Sequence, residues 1–321
     1  MKRRAFITLL GGAAVAWPCV GVAQPAKVPT IGVLVVGSPG SATFWRMFRE
    51  DLRQLGYVEG QNIRYEFRSD EGQPGRLPDL AADLVRLKVA VLVAWFTPAA
   101  TAAKRATREI PIVLTSVGDP IGTGLVDSLA HPGGNVTGVA TMGADLAAKC
   151  VELIREMLPS ARRIGAAANA SDPFSKPFVE KISLAGPAIG ITVDPIMIDG
   201  APGLDAAFAA ISKDRLDAVI VQPSLGSKHP AELALQYRIP ALSIFRTFVE
   251  EGGLMSYWTQ EADMYRRTAV IVDKVLKGER PAEIPVEQPT RFEVVLNMRT
   301  ARTLGLTIPP TILVRVDEIL Q

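Results

Sequence analysis

The feature that most constrains this chain is a recurring pair: a short, β-branched apolar run, then a helical pattern opened by Ser, Thr, Asp or Pro. "TIGVLVVG" from Thr30 is followed by "TFWRMFREDLRQLGY", in which Phe44, Met47, Phe48, Leu52 and Leu55 recur at helical spacing before Gly56. The pair then repeats. "NIRYEFR", "VAVLVAW" and "IPIVLTS" read as further strands, with "LPDLAADLVRLK" and "TPAATAAKRATRE" as helices between them. In the second of these helices Thr97 is the expected N-cap and Pro98 the first helical residue. Runs that are apolar throughout, rather than alternating, belong to parallel sheets covered on both faces.

After Gly138 the alternation restarts with helix "LAAKCVELIREMLP", strand "RIGAAAN" and their successors through "LDAVIVQP" and "IPALSIF". Two such series of about 110 residues each predict an α/β protein with two doubly wound, Rossmann-like parallel-sheet lobes. The join falls near "HPGGNVTG". The tail, from "GGLMSYW" through "RFEVVLN" to "TILVRVDEI", has too few elements for a core of its own. Its elements are therefore shared out, which makes the chain cross between lobes more than once and builds a hinge. The expected division is residues 28–139 plus about 254–285 for the N-terminal lobe, and 140–253 plus about 286–321 for the C-terminal lobe.

Residues 1–23 differ in kind. Lys2, Arg3 and Arg4 precede an apolar stretch that is broken by Gly11, Gly12 and Pro18 and ends in small residues at Gly21 and Ala23. That order is an export signal, and the stretch is short for a membrane span. Arg3 and Arg4 resemble the twin-arginine signature, and adjacent arginines also occur in ordinary signal peptides. Cleavage after Ala23 gives a mature chain starting at Gln24. It loses three positive and no negative charges, so net charge falls from +2 to −1. A near-neutral chain has no electrostatic basis for holding nucleic acid. Cys150 is then the only cysteine, and on a helical face with Leu146, Leu153, Ile154 and Met157 it reads as core.

Catalytic signatures are weak. "GTGLVD" supplies Gly122 and Gly124 of a dinucleotide fingerprint but places Asp127 at the third glycine position and follows the fourth strand rather than the first. "GLMSY" has Tyr257 where a nucleophile elbow needs glycine. Only His131 and His229 remain in the mature chain, each beside a proline, which offers no metal cluster or triad. No cofactor, metal or enzymatic activity is expected. What recurs is a polar or helix-starting cluster after each strand: "GSPGS" at 37, "FTPA" at 96, "SVGDP" at 116, "NASDP" at 169, "QPS" at 222 and "FRTF" at 245. In parallel α/β sheets such carboxyl ends border the ligand crevice.

The stretches "IPIVLTSVGDPIGTGLVDSLAHPGGNVTGV", "EEGGLMSYW" and "VDKVLKGERPAEIPVEQPTRFEVVLNMRTARTLGLTIPPTILVRVDEI" occur in that order and resemble bacterial ABC transporter substrate-binding proteins, the group with tryptophan-binding, TrpX-like members. The resemblance covers essentially the whole mature chain. It implies a type I periplasmic-binding fold, three crossovers, and a small molecule held between the lobes for an ABC permease and its ATPase. It further implies a periplasmic location, with contact to the membrane only through the permease. Alternatives are an exported sensory receptor subunit or an exported enzyme using the same cleft. The chain departs from the family in having "NASDP" where an Asn- and Pro-rich loop is usual, and Trp258 where a Gly is frequent.

The site residues expected from strand ends and motifs are Ser38, Thr97, Gly118, Asp119, Asn169, Phe174, Gln222, Phe245 and Tyr257. Phe174, Phe245, Tyr257 and Trp258 would stack on a ring, Asp119 would hold an ammonium, and the helix starts after Ser38 and Thr97 would hold a carboxylate. Asp119 has a second reading as a turn cap ahead of Pro120.

Overall fold

A computed structural model describes residues 28–37, 42–200 and 202–321. The expected export signal, and Ser38, lie outside the described residues. The first lobe alternates β1 (Thr30–Val35), α1 (Ala42–Gln54), β2 (Arg64–Ser69), α2 (Leu77–Arg86), β3 (Val91–Trp95), α3 (Thr97–Ala106), β4 (Ile112–Gly118) and β5 (Val136–Thr141). Its five strands pair in parallel in the order β2-β1-β3-β4-β5. β3 and β4 are buried along their whole length, which is why their sequences are apolar runs without alternation. α1 buries Phe44, Phe48 and Leu52 at i, i+4 and i+8, while Leu55, beyond the last turn, is exposed.

The second lobe runs α4 (Gly143–Met157), β6 (Arg163–Asn169), α5 (Ser175–Ala188), β7 (Thr192–Ile198), α6 (Pro202–Lys213), β8 (Ala218–Val221), α7 (Lys228–Gln236), β9 (Ala241–Ser243), α8 (Arg246–Glu250) and β10 (Met255–Thr259). After α9 (Glu261–Leu276) the chain returns through β11 (Phe292–Asn297), α10 (Met298–Leu304), α11 (Pro310–Leu313) and β12 (Glu318–Leu320). This sheet has seven strands in the order β12-β11-β10-β9-β8-β6-β7. It is not wholly parallel, because β11 runs antiparallel to β10.

The strand "MSYWT" therefore belongs to the second sheet, whereas the sequence division placed about 254–285 in the first lobe. Met255 pairs with Leu242 and Tyr257 with Val294, so both edges of β10 are satisfied there. α9 packs on the first lobe: Thr268 Oγ1 donates to Thr115 Oγ1 of β4 at 3.0 Å, and Tyr57 Oη donates to Asp273 at 2.9 Å. The chain passes between lobes three times, at Met142, at Gln260 and between Glu287 and β11. The last passage is stitched to β5, with Glu287 N donating to Gly138 O and Ala140 N donating to Glu287 O, both at 2.9 Å.

One apolar cluster runs through both lobes, and a smaller one lies beneath α6 and α7. Cys150 is fully buried within the first, and burial pushes its thiol up to about 12. No helix of the described residues is long and apolar enough to cross a membrane.

Candidate functional site

The carboxyl ends of ten strands converge on one cleft. Its outer chamber, of about 560 Å3, meets Gly37 after β1, Asp70 after β2, Trp95 and Phe96 at the end of β3, Asn169 at the end of β6, Gly200 after β7, Ser224 after β8 and Phe245 after β9. An inner chamber of about 20 Å3 is reached by Gly118 of β4, Thr141 of β5, Gln222 after β8 and Trp258 of β10. Ser224 and Phe96 line both. This convergence follows from topology, since parallel strands feeding helices on both faces put all their outgoing loops at one sheet edge.

Aromatic rings form the floor. Phe44 stacks on Trp95 with centroids 5.6 Å apart, and Tyr265 of α9 meets Phe44 edge-on at 5.1 Å. Trp95 and Phe96 lie 4.2 Å apart. From the other lobe Phe245 packs edge-on against Phe96 at 5.5 Å and against Trp258 at 5.9 Å. Trp95 Nε1 donates to Ser116 Oγ at 3.1 Å, which fixes the orientation of that ring. Aromatic contact thus joins the two lobes at the base of the cleft.

Several expected residues lie on this surface. Thr97, Gly118, Phe174 and Gln222 line the inner chamber, and Asn169 and Phe245 the outer one. Their roles differ from those expected. Thr97 is the first residue of α3 rather than its N-cap, and its hydroxyl accepts from Gly118 N at 3.2 Å, tying β3 to β4. Gln222 is bonded through both ends of its amide: its Oε1 accepts from Asn169 N and Ser175 Oγ, and its Nε2 donates to Asp172 Oδ2, all at 2.8 Å. Asn169 Nδ2 donates to Ser224 O at 3.3 Å. This buried network holds the loops in place and leaves few of its own polar atoms for a ligand. Burial raises the Asp172 carboxyl within it. Phe174 covers Gly118 and Gly143 so closely that a Cβ at either glycine would press into its ring, which makes it a plug between the lobes more than a stacking platform.

Two expected residues lie elsewhere. Tyr257 lines neither chamber and packs against Phe292 at 5.9 Å, because successive strand residues face opposite sides and it is Trp258 that points to the cleft. Asp119 is turned back on its own loop, with Oδ1 accepting from Gly122 N at 2.9 Å and a φ of +34°. It is a cap. Asp tolerates that backbone region where Ala does not, so Asp119→Ala will cost about 1–2 kcal/mol. It will lower the melting temperature of the ligand-free protein and leave ligand affinity unchanged, as calorimetry on the two proteins would show.

Asp70, Trp95 and Glu261 were not expected, while Phe96 and Ser224 fall in the strand-end clusters "FTPA" and "QPS" without having been singled out. Asp70 follows its strand as the other cleft residues follow theirs, so the strand-end rule applied to β2 would have found it. Asp70 is fully buried, Oδ1 accepts from Gly37 N at 2.7 Å and Gly72 N at 3.0 Å, and burial raises its carboxyl above the ordinary range. Glu261, in the first turn of α9, is pushed up to about 7, chiefly by burial and then by Glu250 and Glu293.

Residues 30–320 match the family described as ABC transporter substrate binding protein. A tyrosine-binding protein of Clostridioides difficile (strain R20291) is 28% identical over 264 residues, which are 81% of this chain and 75% of that one. Among solved structures, an ABC domain from Streptococcus pneumoniae in complex with L-Trp is 29% identical, with a TM-score of 0.84 over 91% of this chain and 99% of that one. A conserved domain protein from Vibrio cholerae is 28% identical, with a TM-score of 0.86 over 91% of this chain and 100% of that one. The architecture is that of type I periplasmic binding proteins.

Proposed function

The chain belongs to the ABC transporter substrate binding protein family, and on that premise we propose that it is a periplasmic receptor for a small aromatic molecule of the amino-acid class, which it delivers to an ABC permease and ATPase. The observation that carries this reading is the aromatic floor, to which both lobes contribute: Phe44, Trp95, Phe96 and Tyr265 from one, Phe245 and Trp258 from the other. A ring inserted above it would touch both lobes and so favour the closed arrangement over the open one. The cleft volume suits a small molecule, for which sites run to about 300–1,000 Å3. Relatives that bind tyrosine or L-Trp support the same class. We read the cleft as non-catalytic: Asp172, Ser175 and Gln222 are bonded to one another, and His229 is held by Asp205 at 3.1 Å.

Refolded, ligand-free protein titrated with L-tryptophan and L-tyrosine is expected to gain about 2.7 kcal/mol of stability at 100 times the dissociation constant. Its radius of gyration by small-angle scattering is expected to fall on saturation. Unchanged melting temperature with every aromatic amino acid tried would overturn the ligand class. Undiminished uptake of the bound amino acid by cells lacking the gene would overturn delivery.

A further inference from the structure

Among the described residues, few buried side-chain atoms lack a hydrogen-bond partner, and two of them are carboxylate oxygens: Asp70 Oδ2 and Glu261 Oε1. Both residues line the outer chamber, and both stand on the first lobe. Neither oxygen accepts a hydrogen bond, although the Tyr265 hydroxyl stands beside the Glu261 carboxyl and acts against the effect of burial on it. Asp70, a lining residue of the chamber, is pinned by two backbone N–H groups on Oδ1, which leaves Oδ2 held in place, buried and without a partner. The arginines nearby are already engaged: Arg76 with Glu71 at 2.9 Å, and Arg68 with Asp83 at 3.0 Å. Beside Glu261, Arg246 is held by Glu250 and Glu318 at 2.8 Å and by Glu293 at 3.4 Å. The basic side chains that line the chamber, the Lys228 ammonium and the His229 imidazole, come from α7 on the other lobe. A buried carboxyl oxygen without a donor is costly, and more so than an unpartnered hydroxyl. Such a pair persists in a binding cleft when a ligand supplies the missing donors.

We propose that Asp70 and Glu261 read an ammonium group on the ligand, so that the cleft accepts amines and amino acids and rejects carboxylic acids that carry the same ring without nitrogen. This rests on the receptor reading above and narrows it to a chemical class. The aromatic floor fits the same assignment, because a cation beside the faces of Phe44, Trp95 and Tyr265 is attracted by their quadrupoles. Burial raises both carboxyls when the cleft holds no cation, and an ammonium at hydrogen-bond distance acts in the opposite sense.

Calorimetric titration of the full mature protein with L-tryptophan, tryptamine and indole-3-propionate separates the cases, with L-tyrosine, tyramine and 3-(4-hydroxyphenyl)propionate as a parallel set. The amine-free acids are expected to bind about tenfold or more weakly than the amino acids. D70N is expected to weaken the amine-bearing ligands by about tenfold or more while leaving the acids within about twofold. E261Q tests the second carboxylate and carries the argument if D70N fails to fold. Indole-3-propionate binding as tightly as L-tryptophan would overturn the amine assignment and leave an aromatic receptor. Unchanged L-tryptophan affinity in both variants would overturn it too. Binding of none of the six compounds would remove the receptor reading, and this inference with it.

Discussion

Gly138→Ala will destabilise the protein by about 2–5 kcal/mol, combining about 1–2 kcal/mol for a non-glycine residue at positive φ with about 1–3 kcal/mol of overpacking. Gly138 has a φ of +137°, and a Cβ built on it would overlap the backbone N, Cα and O of Leu114 on the neighbouring strand. The backbone of β4, paired on both sides by β3 and β5, cannot move aside as a side-chain tip can. The register between β4 and β5 shifts just beyond, between Leu114 and Val117, so the bulge and the glycine form one local solution. Gly138 O also accepts from Glu287 N, and Thr137 Oγ1 donates to Ile284 O at 2.7 Å, which couples β5 to the third passage between lobes. Gly134→Ala is the control, since Gly134 also has positive φ, +62°, but a Cβ added there would meet nothing within 4 Å. Urea unfolding of both variants measures the difference. If Gly138→Ala costs no more than Gly134→Ala, the close approach to Leu114 is not rigid.

The lobes were legible because buried parallel strands have a distinctive composition, and "VLVAW" and "IVLTSVG" need no partner to be recognised as such. The sheet to which β10 belongs was not legible. "MSYWT" reads as a strand in either lobe, and only long-range pairing with Leu242 and Val294 decides between them. At the cleft, strand ends were legible and side-chain direction was not. Tyr257 and Trp258 are adjacent and equally aromatic, and a one-residue change of parity exchanges cleft for exterior. Asp119 follows a strand as Asp70 does, yet its carboxylate bonds to Gly122 N within its own turn, the local competition that makes Asp frequent in loops. Glu261 was hidden differently. An acid in the first turn of a helix is the ordinary complement to the helix dipole, and nothing local marks one of its oxygens as buried.

That buried carboxyl makes the stability of the ligand-free protein depend on pH in a definite direction. Glu261 is pushed up to about 7 in the fold against an ordinary 4.5, so the folded state holds its proton more firmly than the unfolded chain. The stabilisation tied to the protonated form is fully present below pH 4.5 and is lost as pH rises through 7. At about 1.4 kcal/mol per pH unit its ceiling is about 3 kcal/mol. The groups around it set the sign: burial first, then Glu250 of α8 and Glu293 of β11, raise it, while Arg246, largely occupied by its own three carboxylates, and the Tyr265 hydroxyl of α9 oppose them. Asp70 and Asp172 are also raised by burial, but both are present in wild type and in E261Q, so their contributions cancel in the comparison. E261Q cannot titrate, and its melting temperature is expected to match wild type near pH 4.5 and to exceed it by several degrees at pH 8. Melting curves of both proteins without ligand, from pH 4.5 to 8.5, test this. Parallel curves would mean that water reaches Glu261 freely and that its carboxyl titrates as an ordinary one. An amine bound beside Glu261 would act on the ionised form, so the same series with saturating L-tryptophan should show the wild-type deficit at pH 8 shrinking, which joins the stability measurement to the ligand assignment through one side chain.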